Sequence, residues 1–408
     1  MIAGTPVLDL DDAASLEAAD AGGALRSAAS GGAQVRATAA AVAEDALARL
    51  ADLRPRSVVL VSGAGRAARA AALLVAALGD RASFPIVPVS SLPPWVGPLD
   101  VVVVAGDDAG DPRLIDAVDR AVRRGAEVVV AAPHEGPLRA AAAGRAVLLE
   151  PRVQVLDHNR LLRFLAAGMA VLRIVDPTRA GAAVPDLTEL ADVLDAEALR
   201  DGPHNEVFHN PAKTLAARMH QRGVVLAGDS PATAELAEHS TEVLLQSAGR
   251  VAAAVNLAEA VAANPRMIEA AGQSAPNFDP MFHDEELDGP VPVERMRVFV
   301  LSCDADQSAA RRRLAVFGAA GSGLVDADLV RADVDLLHTT LTDPSVPTPA
   351  RQDEPGRGDS GLGTTGHGTE LEQLAVLALR LEMAAAYLRL IGSRGSATEG
   401  QGQYGGRY

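Results

Sequence analysis

Cysteine, lysine and aromatic side chains are nearly missing from this 408-residue chain. The single cysteine, Cys303, excludes an intramolecular disulfide and a cysteine-rich zinc site, and it suits a reducing compartment such as the cytoplasm. Aromatics make up 3% of the residues, too few for a platform on which single-stranded nucleic acid could stack. Positive charge is short as well. Against 53 Asp and Glu stand 37 Lys and Arg, and the net charge of −16 repels phosphate backbones, which argues against nucleic-acid partners. Lys213 is the only lysine, so nearly all the positive charge is arginine. No apolar run of about 18 residues is free of charge, so no membrane span is predicted. Met1 to Ala21 lacks the basic start and apolar run of a secretory signal, and none is predicted.

What the chain does have is a hydrophobic share of 48%, arranged as short β-branched runs that alternate with Ala/Leu-rich segments. Ser57–Ser62, Phe84–Val89, Asp100–Ala105, Glu127–Ala132 and, more weakly, Val147–Glu150 read as strands. Arg66–Leu78 and Pro112–Arg124 read as the helices between them, and Gln34–Leu53 as a helix before them. Strands that are apolar throughout are buried on both faces, and intervening helices make the order parallel. After a long helix at about 159–175 the pattern restarts with strands at Gly223–Ala227, Val251–Val255 and Arg297–Ser302 and helices at Pro231–Leu245 and Gln307–Phe317. The fold class is α/β, two doubly wound parallel-sheet subdomains with an additional C-terminal helix. The predicted boundaries are a loose leader over 1–33, a first domain over 34–176, a linker over 177–210, a second domain over 211–342, a flexible insertion over 343–369, a helix over 370–392 and a disordered tail over 393–408. Ala275–Val293 reads as a loop or lid.

Ligands of open parallel sheets sit at the carboxyl ends of the strands, near helix N-termini. Two glycine turns meet that rule: Gly63-Ala64-Gly65-Arg66, and Gly106-Asp107-Asp108-Ala109-Gly110-Asp111. The first lacks the third glycine of a dinucleotide fingerprint, since Ala68 stands there. His204 and His209 are five residues apart, off the helical spacing that shares a face, and read as solvated histidines rather than a metal site.

Ser90-Ser91-Leu92-Pro93-Pro94-Trp95-Val96-Gly97-Pro98 with the strand Asp100–Ala105, the turn Gly63-Ala64-Gly65, Asn210-Pro211-Ala212-Lys213 with Leu215-Ala216 and a strand ending at Gly228, and Tyr387-Leu388 with Gly392 occur in a telling order. That order resembles the bifunctional phosphoglucose/phosphomannose isomerase family, proteins of two sugar-isomerase (SIS) domains, in a divergent actinobacterial TobH-like branch. The resemblance covers about 34–270 and 370–392. It implies a sugar-phosphate ligand, a cytoplasmic homodimer, a place in mannose metabolism, and aldose–ketose interconversion through an enediol. Such chemistry needs a carboxylate base and phosphate donors but no metal or cofactor.

The family's hydroxyl-rich phosphate loop is here the acidic Gly106–Asp111, whose carboxylates would repel a phosphate dianion. Asp111 could instead cap the helix at Pro112. The family's glutamate base falls on Gln246, with Glu242 one turn earlier. No histidine stands near Ala262–Asn264, and no lysine remains for the C-terminal helix. Arg160 matches a family arginine, and Arg66 could supply a compensating charge. The candidate ligand-binding residues are therefore Gly63, Gly65, Arg66, Asp108, Gly110, Asp111 and Arg160, with no catalytic residue assigned. The favoured reading is a non-catalytic protein that keeps the fold and senses a sugar phosphate or sugar nucleotide. An active isomerase using other residues, or a non-catalytic partner of a sugar-metabolism enzyme, are the alternatives.

Overall fold

The computed structural model describes residues 8–272, 295–304, 306, 308–318, 323–342 and 368–392. The loop or lid at 275–293, most of the insertion at 343–369 and the tail at 393–408 lie outside them.

Two parallel sheets form the frame. In the first, β1 (Ser57–Ser62), β2 (Ile86–Val89), β3 (Asp100–Ala105), β4 (Glu127–Ala131) and β5 (Val147–Leu148) run in the order β2-β1-β3-β4-β5. In the second, β6 (Gly223–Gly228), β7 (Ala252–Asn256), β8 (Met296–Leu301) and β9 (Val325–Val330) run in the order β7-β6-β8-β9. Each sheet repeats the same scheme, in which its first strand lies between its second and its third. This is the doubly wound order, with a switch point between those first and third strands. The register pairs Ser62 with Ala105 in the first sheet and Gly228 with Leu301 in the second, so each pair of loops leaves its sheet side by side.

Successive strand residues face opposite layers. Val58, Leu60, Val101 and Val103 enter a central core, while Val59, Val61, Val102 and Val104 enter an outer core beneath α5 (Pro112–Arg123) and α6 (Gly136–Ala142). In the second sheet Leu226, Phe299 and Leu301 face the same central core, and Val298 and Val300 face an outer one beneath α11 (Leu257–Ala271) and α12 (Ser308–Gly318). The central layer holds α3 (Gly31–Ala43), α4 (Arg66–Leu78), α7 (Leu161–Val175), α8 (Leu187–Arg200), α9 (Pro211–Met219), α10 (Pro231–Ala248) and α14 (Glu370–Gly392). The two halves thus share one core.

Three differences from the sequence reading follow from that shared core. The expected leader contains α1 (Ala13–Ala19), α2 (Ala24–Ala29) and the start of α3, held down by fully buried Leu16 and Val35. The expected helix over 34–53 stops at Ala43, and the chain turns through Asp45 at a φ of 62° before a short 3-10 turn at Ala48–Leu50. The expected linker contains α8, whose Leu190, Val193 and Leu194 are buried against α3. Its N-cap is Asp186, which accepts from the amides of Thr188 and Glu189. α14 is buried nearly all round, packed on α2, α8, α9 and α10. A helix enclosed on every side must pair the charges it carries.

Candidate functional site

At the switch point of the first sheet, β1 ends in Gly63-Ala64-Gly65 and β3 in the acidic loop. Gly65 has a φ of +84°, a left-handed-side conformation that suits glycine, and it precedes α4 with no side-chain cap on the helix amides. A Cβ on Gly63 would lie 3.3 Å from Asp111 Oδ2, so the two loops meet. Gly63, Gly65, Asp108, Gly110 and Asp111 therefore lie on two adjoining loops at the switch point, where sheets of this order form their crevice, with Asp108 and Gly110 exposed and Asp111 half-buried.

Arg160 joins them from the amino end of α7, as does Arg163 one turn on. Arg160 Nη1 lies 3.0 Å and Arg163 Nη2 2.5 Å from Oδ1 of Asp107. The acidic loop is therefore not a block of bare carboxylates, which corrects the expectation of simple repulsion. Asp111 Oδ1 accepts from the Arg113 amide at 2.9 Å and caps α5. Burial works against its charge, but the bonds from Arg113 hold its carboxyl below the ordinary range. Asp108 Oδ1 accepts from the Gly110 amide at 2.7 Å.

Arg66 is not free for a ligand, contrary to expectation. It is 3% exposed. Its guanidinium is tied to Glu242, and Nη1 lies 2.9 Å from Nδ1 of His239, both on α10. Burial lowers its pKa, with Glu242 opposing the fall. Arg69 spans Glu235, Glu238 and Glu242, so α4 and α10 are clamped by two arginines and three glutamates. Gln246 lies one turn beyond Glu242 and is exposed.

Behind Arg66 lies a polar network that the sequence reading missed. His239 Nε2 is 3.0 Å from Glu382 Oε1 on α14, and Asn159 Nδ2 donates to Glu382 Oε2 at 2.9 Å. Ser27 Oγ donates to Asn159 Oδ1 at 2.8 Å, bringing in α2. An arginine can only donate, so Nδ1 of His239 accepts and Nε2 carries the proton that Glu382 receives. Burial, reinforced by Arg66, lowers the His239 pKa to about 3, so the ring is neutral. Burial raises Glu382 to about 8, against the pull of its Asn159 bond. His158 sits beside this network and is also buried, with its pKa lowered by burial. The available signal was the charge within Leu-Arg-Leu-Glu-Met at 379–383, in a helix whose middle, from Leu374 to Leu388, is otherwise apolar but for the Tyr387 hydroxyl.

Lys213 is buried too. Its Nζ donates to the carbonyls of Pro203 and Asn205, at 2.7 Å each, which makes it a clasp for the chain entering α9. His204 pairs with Glu17 at 3.1 Å, and the His209 ring lies tilted against Phe208 with centroids 4.1 Å apart. Among the described residues no group of three His, Cys, Asp or Glu side chains could hold a metal. No described helix is long and apolar enough to cross a membrane.

No protein-family model matches this chain. No curated protein matches it either. Solved structures do. Tagatose-6-phosphate ketose/aldose isomerase from Escherichia coli aligns with a TM-score of 0.54 at 13% identity, over 98% of this chain and 100% of that one. A candidate phosphosugar isomerase from Clostridium difficile 630 gives 0.55 at 9% identity, over 92% and 96%. The C-terminal domain of glucosamine-fructose-6-phosphate aminotransferase from Francisella tularensis gives 0.51 at 9% identity, over 88% and 95%. The likeness is one of fold. The two sheets are SIS-like subdomains, and the crevice described above lies at the carboxyl end of the first.

Proposed function

We propose that the chain binds a phosphorylated sugar at the switch point of the first sheet and does not interconvert aldose and ketose there. The observation that carries this reading is the amino end of α4 at Gly65, which no side chain caps, beside a β3 loop whose Asp107 brings in the guanidiniums of Arg160 and Arg163. Free helix amides and guanidiniums are the donors that a phosphate requires. The fold neighbours include proteins described as acting on sugar phosphates, which supports the same ligand class. The sequence resemblance narrows it to cytoplasmic hexose phosphates of mannose metabolism, with the chain working as a homodimer.

The absence of turnover is argued from the acid–base groups. An enediol mechanism needs a carboxylate that can take a proton from carbon and an acid that reaches the ring oxygen. Glu242, the carboxylate that α10 brings to the crevice, is held by both Arg66 and Arg69. His239 is 1% exposed and committed at both ring nitrogens. Gln246 takes up no proton at neutral pH.

Calorimetry with mannose 6-phosphate and glucose 6-phosphate tests the binding half. Arg160→Gln should weaken binding by about tenfold, the loss of one charge-assisted hydrogen bond. Unchanged affinity would remove the ligand from this crevice.

A further inference from the structure

The guanidiniums of the crevice already hold an anion, and it belongs to the protein. Arg160 and Arg163 both meet one oxygen, Oδ1 of Asp107, at 3.0 and 2.5 Å, while the other terminal nitrogen of Arg160 pairs with the solvent-exposed Asp157 at 2.7 Å. Arg163 is 13% exposed in its side chain, and burial lowers its pKa, so this cation needs an anion beside it. Asp107 is the first carboxylate beyond β3, on an exposed loop at the switch point, where ligands of doubly wound sheets bind. The other two carboxylates of the loop take backbone amides that an incoming anion could otherwise use: Asp108 takes Gly110 and Asp111 takes Arg113.

We propose that Asp107 is the internal occupant of an anion seat, and that its carboxylate competes with the phosphate of a ligand for Arg160 and Arg163. The proposal rests on the sugar-phosphate reading for the identity of the ligand, but the seat itself is defined by the two arginines. Binding then requires Asp107 to swing outward, and a phosphate with three free oxygens offers each guanidinium its own acceptor in exchange. Asp107 thereby sets the affinity of the crevice and selects against weakly charged ligands.

The test compares the wild type with Asp107→Asn and with Asp100→Asn. Asp100 is a buried carboxylate at the other end of the same strand, paired with Arg56 at 2.6 Å and accepting from Ser57 Oγ and the Gly97 amide at 2.8 Å each, so its loss reports the cost of removing a paired, hydrogen-bonded carboxylate away from the two arginines. Melting temperatures are read against inorganic phosphate, with chloride at matched ionic strength. Asp107→Asn should melt lower in chloride and recover along a saturating phosphate curve. The wild type and Asp100→Asn should show only the shallow rise common to excluded salts. Calorimetry should show mannose 6-phosphate binding about tenfold tighter in Asp107→Asn than in the wild type. Asp107→Ser is measured in parallel and should behave alike, so a folding failure of one variant leaves the other. A phosphate response in both Asp107 variants no different from that of Asp100→Asn would overturn the proposal and make the contact a plain ion pair. If the wild type binds mannose 6-phosphate and neither Asp107 variant binds it more tightly, the seat fails and the functional reading stands. If no hexose phosphate binds the wild type or either variant while inorganic phosphate rescues the variants, the functional reading fails and the seat stands.

Discussion

At the scale of residues, His239 and Glu382 tie the shared core to pH. Each is buried beyond the reach of solvent, and their shifts run in opposite directions. His239 has a folded pKa of about 3, below the ordinary imidazole value near 6.5. Its contribution is complete above that ordinary value and is lost as pH falls toward 3. Glu382 has a folded pKa of about 8, above the ordinary carboxyl value near 4.3. Its contribution is complete below that ordinary value and is lost as pH rises through 8. Between about pH 6.5 and 8 only the loss at Glu382 remains from this pair, with a slope approaching about 1.4 kcal/mol per pH unit for one proton. Asp201 is pushed up in the same sense by burial and by Glu197, so the wild-type profile contains both groups. Glu382→Gln separates them. Chemical denaturation from pH 6 to 8.5 should show a shallower fall for the variant than for the wild type. Parallel profiles would mean that Glu382 keeps its charge throughout, stabilised by Arg66 across the ring of His239.

These residue pairs were the least legible part of the sequence. His239 and Glu382 are 143 positions apart, and no local pattern joins them. Arg66 illustrates the same limit. Its place at a glycine turn suggested a ligand contact, and only the packing of α10 against α4 shows that its charge is spent on Glu242. The capping of α5 by Asp111 was legible, because a cap is decided within three residues.

At the scale of elements, the strands of the first sheet were legible where their residues are uniformly apolar, as in Val58–Val61 and Val101–Val104. β9 escaped notice because its sequence, Val-Asp-Ala-Asp-Leu-Val, places two carboxylates in a strand. Arg297 and Arg218 pair with Asp328, and Arg222 with Asp326, so those charges are answered from β8 and from the segment around the end of α9. Where a helix begins against a strand end, the fit is tighter still. A Cβ on Gly228 would stand 2.2 Å from the backbone nitrogen of Ala234, and backbone cannot be moved aside as a side-chain tip can. Gly228→Ala should cost roughly 2–3 kcal/mol. A denaturation midpoint equal to that of the wild type would show that β6 and α10 are not held as closely as described.

At the scale of the whole molecule, the repeated strand order is the organising fact. Each half was legible as a strand-and-helix alternation, but the way they join was not. The two sheets turn one face each toward a shared core, and α14, α8 and the helices of the first 43 residues fill it. Segments that read as leader and linker are core because their apolar residues meet partners far away in the chain. The same arrangement places α10 of the second half against the amino-terminal turns of α4 in the first, so His239 and Glu242 are supplied from a distance and arrive already paired.

The central claim, binding without turnover, is tested most directly by one paired measurement on one purified sample. Thermal unfolding is followed with mannose 6-phosphate and glucose 6-phosphate, and conversion of each to fructose 6-phosphate is assayed alongside. A ligand present at 100 times its dissociation constant should add about 2.7 kcal/mol of stability. The account predicts a saturating rise in melting temperature with at least one of these sugars and no conversion of either. Conversion at an enzymatic rate would contradict it and make Glu242 a working base released from its arginines, and a melt that no hexose phosphate moves would contradict the binding itself.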